Sequence, residues 1–295
     1  MKFGAHQTFH LRDGWMHKGL LALMQNPDIF KEDNAVEELG VGRNMVDSLR
    51  YWLKALQLTE TVDDEAGEYL TKIGETVLAC DPYFELDGTL LLCHYLLASN
   101  EDDATTWYWY FNKFGASEFD VDTMQVVLST FVHNKLGKNI NENTLRKDLN
   151  CLLRMYREPD YRNRETPETE NPSPFVKYRL IETDNHKYYR RKVNIDDIDP
   201  LIFVYLNHLY ISKNLPNAKS VNLDEIVSKE ESPSLLLGLN IEDTVQLIEK
   251  VMAQHKDKYL SYNRTGGYNI IVPKRAAMEE ALNDYYAKNS ERGEL

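Results

Sequence analysis

The sequence predicts a mainly α protein with small β-hairpins, built from several winged helix-turn-helix modules. Three observations predict it. Apolar residues recur at helical spacing behind N-capping residues, short glycine-containing turns separate consecutive helices, and two-stranded hairpin patterns follow them. The chain has 295 residues, 42% of them hydrophobic and 11% aromatic, which is enough apolar material for more than one core.

The first pattern spans residues 33–78. Asp33 or Asn34 is placed to cap a short helix ending at Leu39, Gly40 to Gly42 form a turn, and a second helix puts Val46, Leu49, Leu53 and Leu56 on one face. Residues 58–62 and 68–70 then flank a polar tip at 63–67, which suits a two-stranded wing. A plain αα-hairpin is the alternative reading. Residues 81–119 are richly aromatic, with Trp107, Tyr108, Trp109, Tyr110 and Phe111, and predict a helical pair packed on the first module. Glu101, Asp102 and Asp103 stand where they could cap the second helix of that pair. The aromatic run has no interleaved Lys or Arg before Lys113, so it reads as core and not as a base-stacking platform.

A second helix-turn-helix is predicted within 121–156. Asn141 caps a helix whose apolar stripe is Leu145, Leu149, Leu152, Leu153 and Tyr156. Residues 158–174, with Pro159, Pro167, Pro172 and Pro174 among many charges, read as a linker. The chain therefore divides into 1–119, 120–157, the linker, and 175–295. In the last part, residues 173–181 are extended or helical, a helix covers 199–211, and Asn240 caps a helix to about His255 with Val245, Leu247, Ile248 and Val251 inward. A hairpin of 259–262 with 268–272 follows, giving a third winged-helix pattern.

Chemistry is harder to find. Gly40-Val41-Gly42 lacks the third glycine and the preceding strand of a dinucleotide fingerprint, and Leu136-Gly137-Lys138-Asn139 lacks the spacing of a phosphate loop. No G-x-S-x-G elbow occurs. Asp196, Asp197 and Asp199 lack the ligand spacing of a calcium loop and read as a helix N-terminus. His6, His10 and His17 form the one histidine cluster, and the first two would share a helical face. With no H-E-x-x-H pattern beside them, a hydrogen-bonded terminus is the default reading. No catalytic residue, cofactor or metal is predicted, and the protein is expected not to be an enzyme. Cys80, Cys93 and Cys151 are odd in number and far apart, which fits a reducing cytoplasm. The N-terminal residues have no apolar core of a secretion signal, and no apolar run reaches the ~20 residues of a membrane span.

Charge carries the functional signal. The net charge is −13, which excludes a surface that coats nucleic acid along its whole length. Residues 132–192 hold 14 Lys and Arg against 9 Asp and Glu, a local net of +5, leaving −18 on the rest. Within that segment Asn143, Arg146, Lys147, Asn150 and Arg154 recur at helical spacing, the chemistry by which a recognition helix reaches phosphates and base edges. A solvated basic helix balanced by the acidic linker is the alternative. Arg190, Arg191 and Lys192 extend the basic set. In the first module Arg43, Asn44, Ser48 and Arg50 are second candidates, although Asp47 shares their face and Glu60, Asp63, Asp64, Glu65 and Glu68 make the wing acidic.

Several segments resemble one bacterial family of unknown function. They are Phe3-Gly4-Ala5-His6-Gln7-Thr8-Phe9 with Arg12, Gly14 and Trp15; Leu39-Gly40-Val41-Gly42-Arg43-Asn44-Met45-Val46 with Arg50-Tyr51-Trp52; and Asp81-Pro82-Tyr83-Phe84-Glu85 with Gly88-Thr89-Leu90 and His94. The likeness is specific over roughly the first 115 residues, and Thr144 to Leu149 is a weaker echo. Members are often encoded beside genes for phosphorothioation-type DNA modification and phage defence. The resemblance implies a non-catalytic DNA-recognition or assembly subunit of such a system. It carries over no catalytic residue, though His6, Gln7, Thr8 and Arg12 could form a polar site. Double-stranded DNA is the expected partner, with other proteins of the complex or a second copy as the alternative.

Overall fold

Residues 1–62, 67–159, 171–185, 187–265 and 268–291 are described by the computed structural model. Within them the chain is mainly α-helical with three small antiparallel sheets. It separates into two compact units, one of residues 1–84 and 96–191, the other of 85–95 and 192–295.

The first unit begins with turns that lead into α1 (Trp15–Gln25), α2 (Ala35–Leu39) and α3 (Arg43–Ala55). The apolar stripe Val46, Leu49, Leu53 and Leu56 is buried as its spacing predicts. At Gly19, α1 approaches α3 so closely that a Cβ would stand 2.4 Å from the Leu49 side chain. Asn34 occupies the N-cap of α2 but makes no capping bond, because its backbone (φ −89°, ψ 6°) is outside the extended region that capping uses. The wing is shorter than predicted: β1 (Thr59–Glu60) pairs with β2 (Tyr69–Leu70), and its tip at 63–66 lies outside the described residues. Thr71 caps α4 (Lys72–Cys80), accepting from the Gly74 N–H.

Next come α5 (Asp87–Ala98), which contributes to both units, and α6 (Thr105–Asn112). Trp107, Tyr108, Trp109, Tyr110 and Phe111 are buried, so the aromatic run is core. The expected acidic cap does not form. The Ala104 N–H bonds back to Asn100 and Thr105 Oγ1 to the Glu101 carbonyl, so a turn runs into α6, and the carboxylates at 101–103 pair instead with Lys135, the N-terminal ammonium and Lys2.

The rest of this unit runs β3 (Glu118–Phe119), α7 (Val121–Leu136), α8 (Glu142–Tyr156), β4 (Ile181–Asp184), β5 (Lys187–Arg190). The sheet order is β3-β5-β4, with Glu118 opposite Tyr189 and Phe119 opposite Tyr188. Residues 174–178, extended or helical by sequence, are a 3₁₀ turn capped by Ser173, and its Phe175 stacks on Tyr156 of α8 at 5.6 Å. Most of the expected linker, at 160–170, lies outside the described residues.

The second unit follows a similar order, with one more helix before its hairpin. Asp199 caps α9 (Pro200–Asn214), as the helix-N-terminus reading predicts, and Pro200 at the first position starts it, whereas Asp196 and Asp197 lie in a separate 3₁₀ turn capped by Asn194. Then come β6 (Val221–Asn222), α10 (Leu223–Ser228), α11 (Pro233–Leu236), α12 (Ile241–His255) and the hairpin β7 (Leu260–Thr265) with β8 (Tyr268–Pro273). Its sheet order is β6-β8-β7, again placing the last strand centrally. Asn240 and Asp243 form a capping box on α12. α13 (Met278–Glu291) packs on α9.

Candidate nucleic-acid interface

The basic helix α8 is fixed at three points. Gly137 ends α7 in the left-handed region (φ 64°), Asn141 Oδ1 accepts from the Asn143 N–H at 2.9 Å, and Leu145, Leu149, Leu152, Leu153 and Tyr156 are buried. Helical geometry then turns Asn143, Arg146, Lys147, Asn150 and Arg154 outward, and all five are exposed. From 143 to 154 they cover about 16 Å of helix at 1.5 Å per residue, a length that a major groove accommodates.

One carboxylate on α8 points the other way. Asp148 is buried and accepts from the Gly4 N–H (2.8 Å), His6 Nε2 (2.8 Å) and Thr106 Oγ1 (3.1 Å), so its charge is taken up inside the unit and not displayed beside Arg146 and Lys147. Arg146 Nη1 reaches Asp122 Oδ1 (2.6 Å) and Gln125 Oε1 (2.9 Å) on α7. Such an exposed pair holds roughly 0.2–1 kcal/mol, and a phosphate can replace the carboxylate. The same unit has two further exposed cations. Lys138 is exposed in the turn before α8, and Lys187 at the β4–β5 hairpin is paired with Glu118. Sequence reading assigned neither to the interface, although Lys138 sits three residues before Asn141, the cap of a basic helix.

The other predicted contacts are placed differently. Arg43 and Asn44, on the first turn of α3, are exposed. Ser48 is buried, its Oγ donating to the Phe9 carbonyl (3.4 Å), and Arg50 Nε donates to the buried Glu68 (2.6 Å). That pairing takes Glu68 out of the acidic wing; Glu60 is exposed, and Asp63, Asp64 and Glu65 lie outside the described residues. Arg190 turns inward: Nη2 donates to the Phe111 carbonyl at 3.0 Å, Nη1 to Phe114, and the guanidinium lies 5.1 Å from the Tyr110 ring. Arg191 is exposed and paired with Glu182 (2.7 Å); Lys192, in the second unit, holds both oxygens of Asp243 at 2.7 Å. The corresponding helix of the second unit, α12, shows Glu242, Gln246 and Glu249 to solvent and is not cationic there.

The model of the family described as a protein of unknown function, DUF4007, matches residues 3–286. The chain belongs to this family. Two solved structures resemble the DUF4007 chain closely: a magnesium ion-bound SspB (26% identity) and an SspB structure described without an ion (25%). Each superposes with a TM-score of 0.86 over 97% of this chain and 88% of SspB. No curated protein matches the chain.

The magnesium of that SspB structure raises the question of a cation site in this DUF4007 chain. The predicted histidine face does not form, because residues 1–14 are turns and α1 begins only at Trp15. His6 faces Asp148, His10 Nε2 lies 3.1 Å from the Asn171 carbonyl, and His17 Nδ1 lies 2.9 Å from the Pro82 carbonyl. Among the described residues no three His, Cys, Asp or Glu side chains gather, so none is assigned to a metal. Among them, too, no helix is long and apolar enough to cross a membrane.

Proposed function

We propose that the protein is a non-catalytic, DNA-binding accessory subunit of a bacterial DNA-modification or phage-defence system. The observation that carries this reading is the exposed row Asn143, Arg146, Lys147, Asn150 and Arg154 on a capped helix whose one buried carboxylate faces away. In this reading the order α6, β3, α7, α8, β4–β5 is a winged helix-turn-helix with α8 as its reading helix, and the second unit is a related module without the cationic helix. Phosphates would be met by Arg146, Lys147 and Arg154, and base edges by Asn143 and Asn150. Arg43 and Asn44 on α3 are a second contact. The setting in a phosphorothioation-type system rests on the family resemblance and on the likeness to SspB.

The test is duplex binding at ~50 mM salt, where phosphate contacts are strongest. Reversing both charges, Arg146→Glu with Lys147→Glu, should weaken affinity at least about tenfold, given 1–3 kcal/mol for each good contact. Equal affinity of the wild-type and doubly reversed proteins rejects the reading.

A specific observation favours a protein partner as the second reading. Val126 and Val127 on α7 are 67% and 40% exposed, beside the cleft of about 450 Å³ that Arg146 lines. Light scattering and copurification decide it: a monomer that brings down no subunit of the system removes this alternative.

A further inference from the structure

A half-open cleft of about 450 Å³ lies in the first unit where α1 and α3 begin. Two cations line it. Arg12 is 8% exposed, its guanidinium set 5.4 Å from the Phe9 ring centroid and 5.5 Å from that of Trp15. Ring faces fix such a group in position while favouring its charged form. Lys18 Nζ donates to the Leu39 carbonyl at 2.8 Å, which brings the ammonium to the rim near Gly40. Among the described lining residues Asp13 alone is acidic, and its Oδ1 accepts from the Gly14 N–H at 3.0 Å.

The backbone adds to this field. Gly14 and Gly42 are the N-caps of α1 and α3, helices of 11 and 13 residues, and both line the cleft. Neither helix has a side-chain cap or an acidic residue in its first turn. The first N–H groups of a helix have no acceptor within it, and they carry its positive end. A Cβ at either glycine would meet nothing within 4 Å; on α1 the Trp15 N–H already donates to the Arg12 carbonyl at 3.2 Å, whereas Arg43 and Asn44, which open α3, are exposed. Trp15, Val41 and Met45 supply an apolar wall. Two cations in a cavity, with two helix ends behind them, form a concentrated positive site on a chain of net charge −13. Planar guanidinium donors and helix N-termini together are the chemistry that holds phosphate.

We propose that this cleft binds a phosphate group carried by a nucleic-acid strand, with Arg12, Lys18 and the first turns of α1 and α3 as its donors. The anion site stands on the cleft alone; the nucleic-acid carrier rests on the DNA-binding reading above.

Gly42→Asp is the decisive variant. Its backbone (φ −63°, ψ 157°) is one an aspartate N-cap adopts, so the variant should fold with a Tm no lower than wild type. Its carboxylate would accept from the N–H groups assigned to the phosphate and place a negative charge in the cleft. Calorimetric titration of the full chain with inorganic phosphate should show binding that Gly42→Asp and Lys18→Met each weaken at least about tenfold, the weight of one charge-assisted hydrogen bond. The double variant Arg146→Glu, Lys147→Glu should bind inorganic phosphate as wild type does, which separates failure of the cleft from failure of α8. A wild-type chain that takes up no phosphate, or a Gly42→Asp chain that takes it up equally well, overturns the anion site. The same variants titrated with duplex DNA identify the source. Weakened DNA affinity in Gly42→Asp supports the nucleic-acid carrier, and unchanged affinity with phosphate binding lost overturns it in favour of a free anion.

Discussion

His6 Nε2 lies 2.8 Å from Asp148 Oδ1, and both side chains are buried. The same carboxylate accepts from Gly4 and Thr106, so it joins the N-terminal turns and α6 to the inner face of the helix whose outer face is cationic. The rings of Tyr51, Trp52 and Trp107 surround His6 at 5.9–6.2 Å. Burial opposes a second proton on this ring, while Cys151 and Asp148 favour one. The Thr8 N–H directed at Nδ1 (3.1 Å) decides against it, leaving the single proton on Nε2 toward Asp148. Asp148→Ala would strand three donors, two of them buried, and should cost about 3 kcal/mol of stability. Urea denaturation reads the loss; a midpoint within error of wild type contradicts the role given to Asp148.

Arg190 and Lys147 should separate structure from binding. Arg190 is bonded to the Phe111 and Phe114 carbonyls and lies over Tyr110, whereas Lys147 is exposed on α8. Arg190→Ala should lower stability by about 1.5–3 kcal/mol and leave the DNA affinity of the folded protein alone, because its lost bonds are charge-assisted and internal. Lys147→Glu should do the reverse. Paired thermal melts and gel shifts would show it, and weakened DNA binding by fully folded Arg190→Ala would move Arg190 into the interface.

The contrast between these two residues also shows what the sequence could convey. The stripe from Leu145 to Tyr156 and the caps Asn141 and Asn240 are local patterns of spacing and side-chain chemistry, and they are found where the sequence predicts. Arg190 reads as surface because nothing within a few residues reveals that β5 pairs with β3, some seventy positions earlier, and brings the guanidinium onto the aromatic core. Asp148 is illegible for the same reason: its three donors come from residues 4, 6 and 106. The two-unit division falls within α5, whose apolar run from Leu90 to Leu97 is buried throughout and offers no single inward face.

Gly74 marks a close approach that should tolerate no side chain. A Cβ there would stand 2.2 Å from the Leu58 carbonyl oxygen, which already accepts from the Thr71 N–H at 3.0 Å. The carbonyl cannot retreat without losing that bond. Gly74→Ala should destabilise by about 1–3 kcal/mol, the range for forced overpacking. A stability equal to wild type would mean that the β1–α4 junction is looser than this contact implies.

Salt dependence should count the phosphates that α8 meets. Each one neutralised by Arg146, Lys147 or Arg154 contributes about −0.9 to the slope of log affinity against log salt. Replacing any of the three with glutamine should flatten the slope by about that amount, while Asn150→Ala should lower affinity with the slope intact, because an amide releases no counterion. A slope indifferent to all three cations removes them from the phosphate backbone.

The Lys192–Asp243 pair should give the second unit an acid-sensitive element. Burial alone would raise the Asp243 carboxyl, but hydrogen bonds from Lys192 and the Asn240 N–H outweigh it and hold the carboxyl below its ordinary value. A carboxyl whose folded pKa is depressed adds stability that is fully present above the unfolded value of about 3.9 and is lost as pH falls through the folded one. Wild-type protein should therefore exceed Asp243→Asn in stability near neutral pH. An asparagine at 243 can still accept from the Asn240 N–H but cannot hold the ammonium as an ion pair. The gap should narrow as pH falls below about 4, where the unfolded carboxyl takes up its proton first, and close once pH is below the folded value. Urea melts of both proteins from neutral pH into the acid range measure it, and a gap that stays constant across that range rules the pair out as the source.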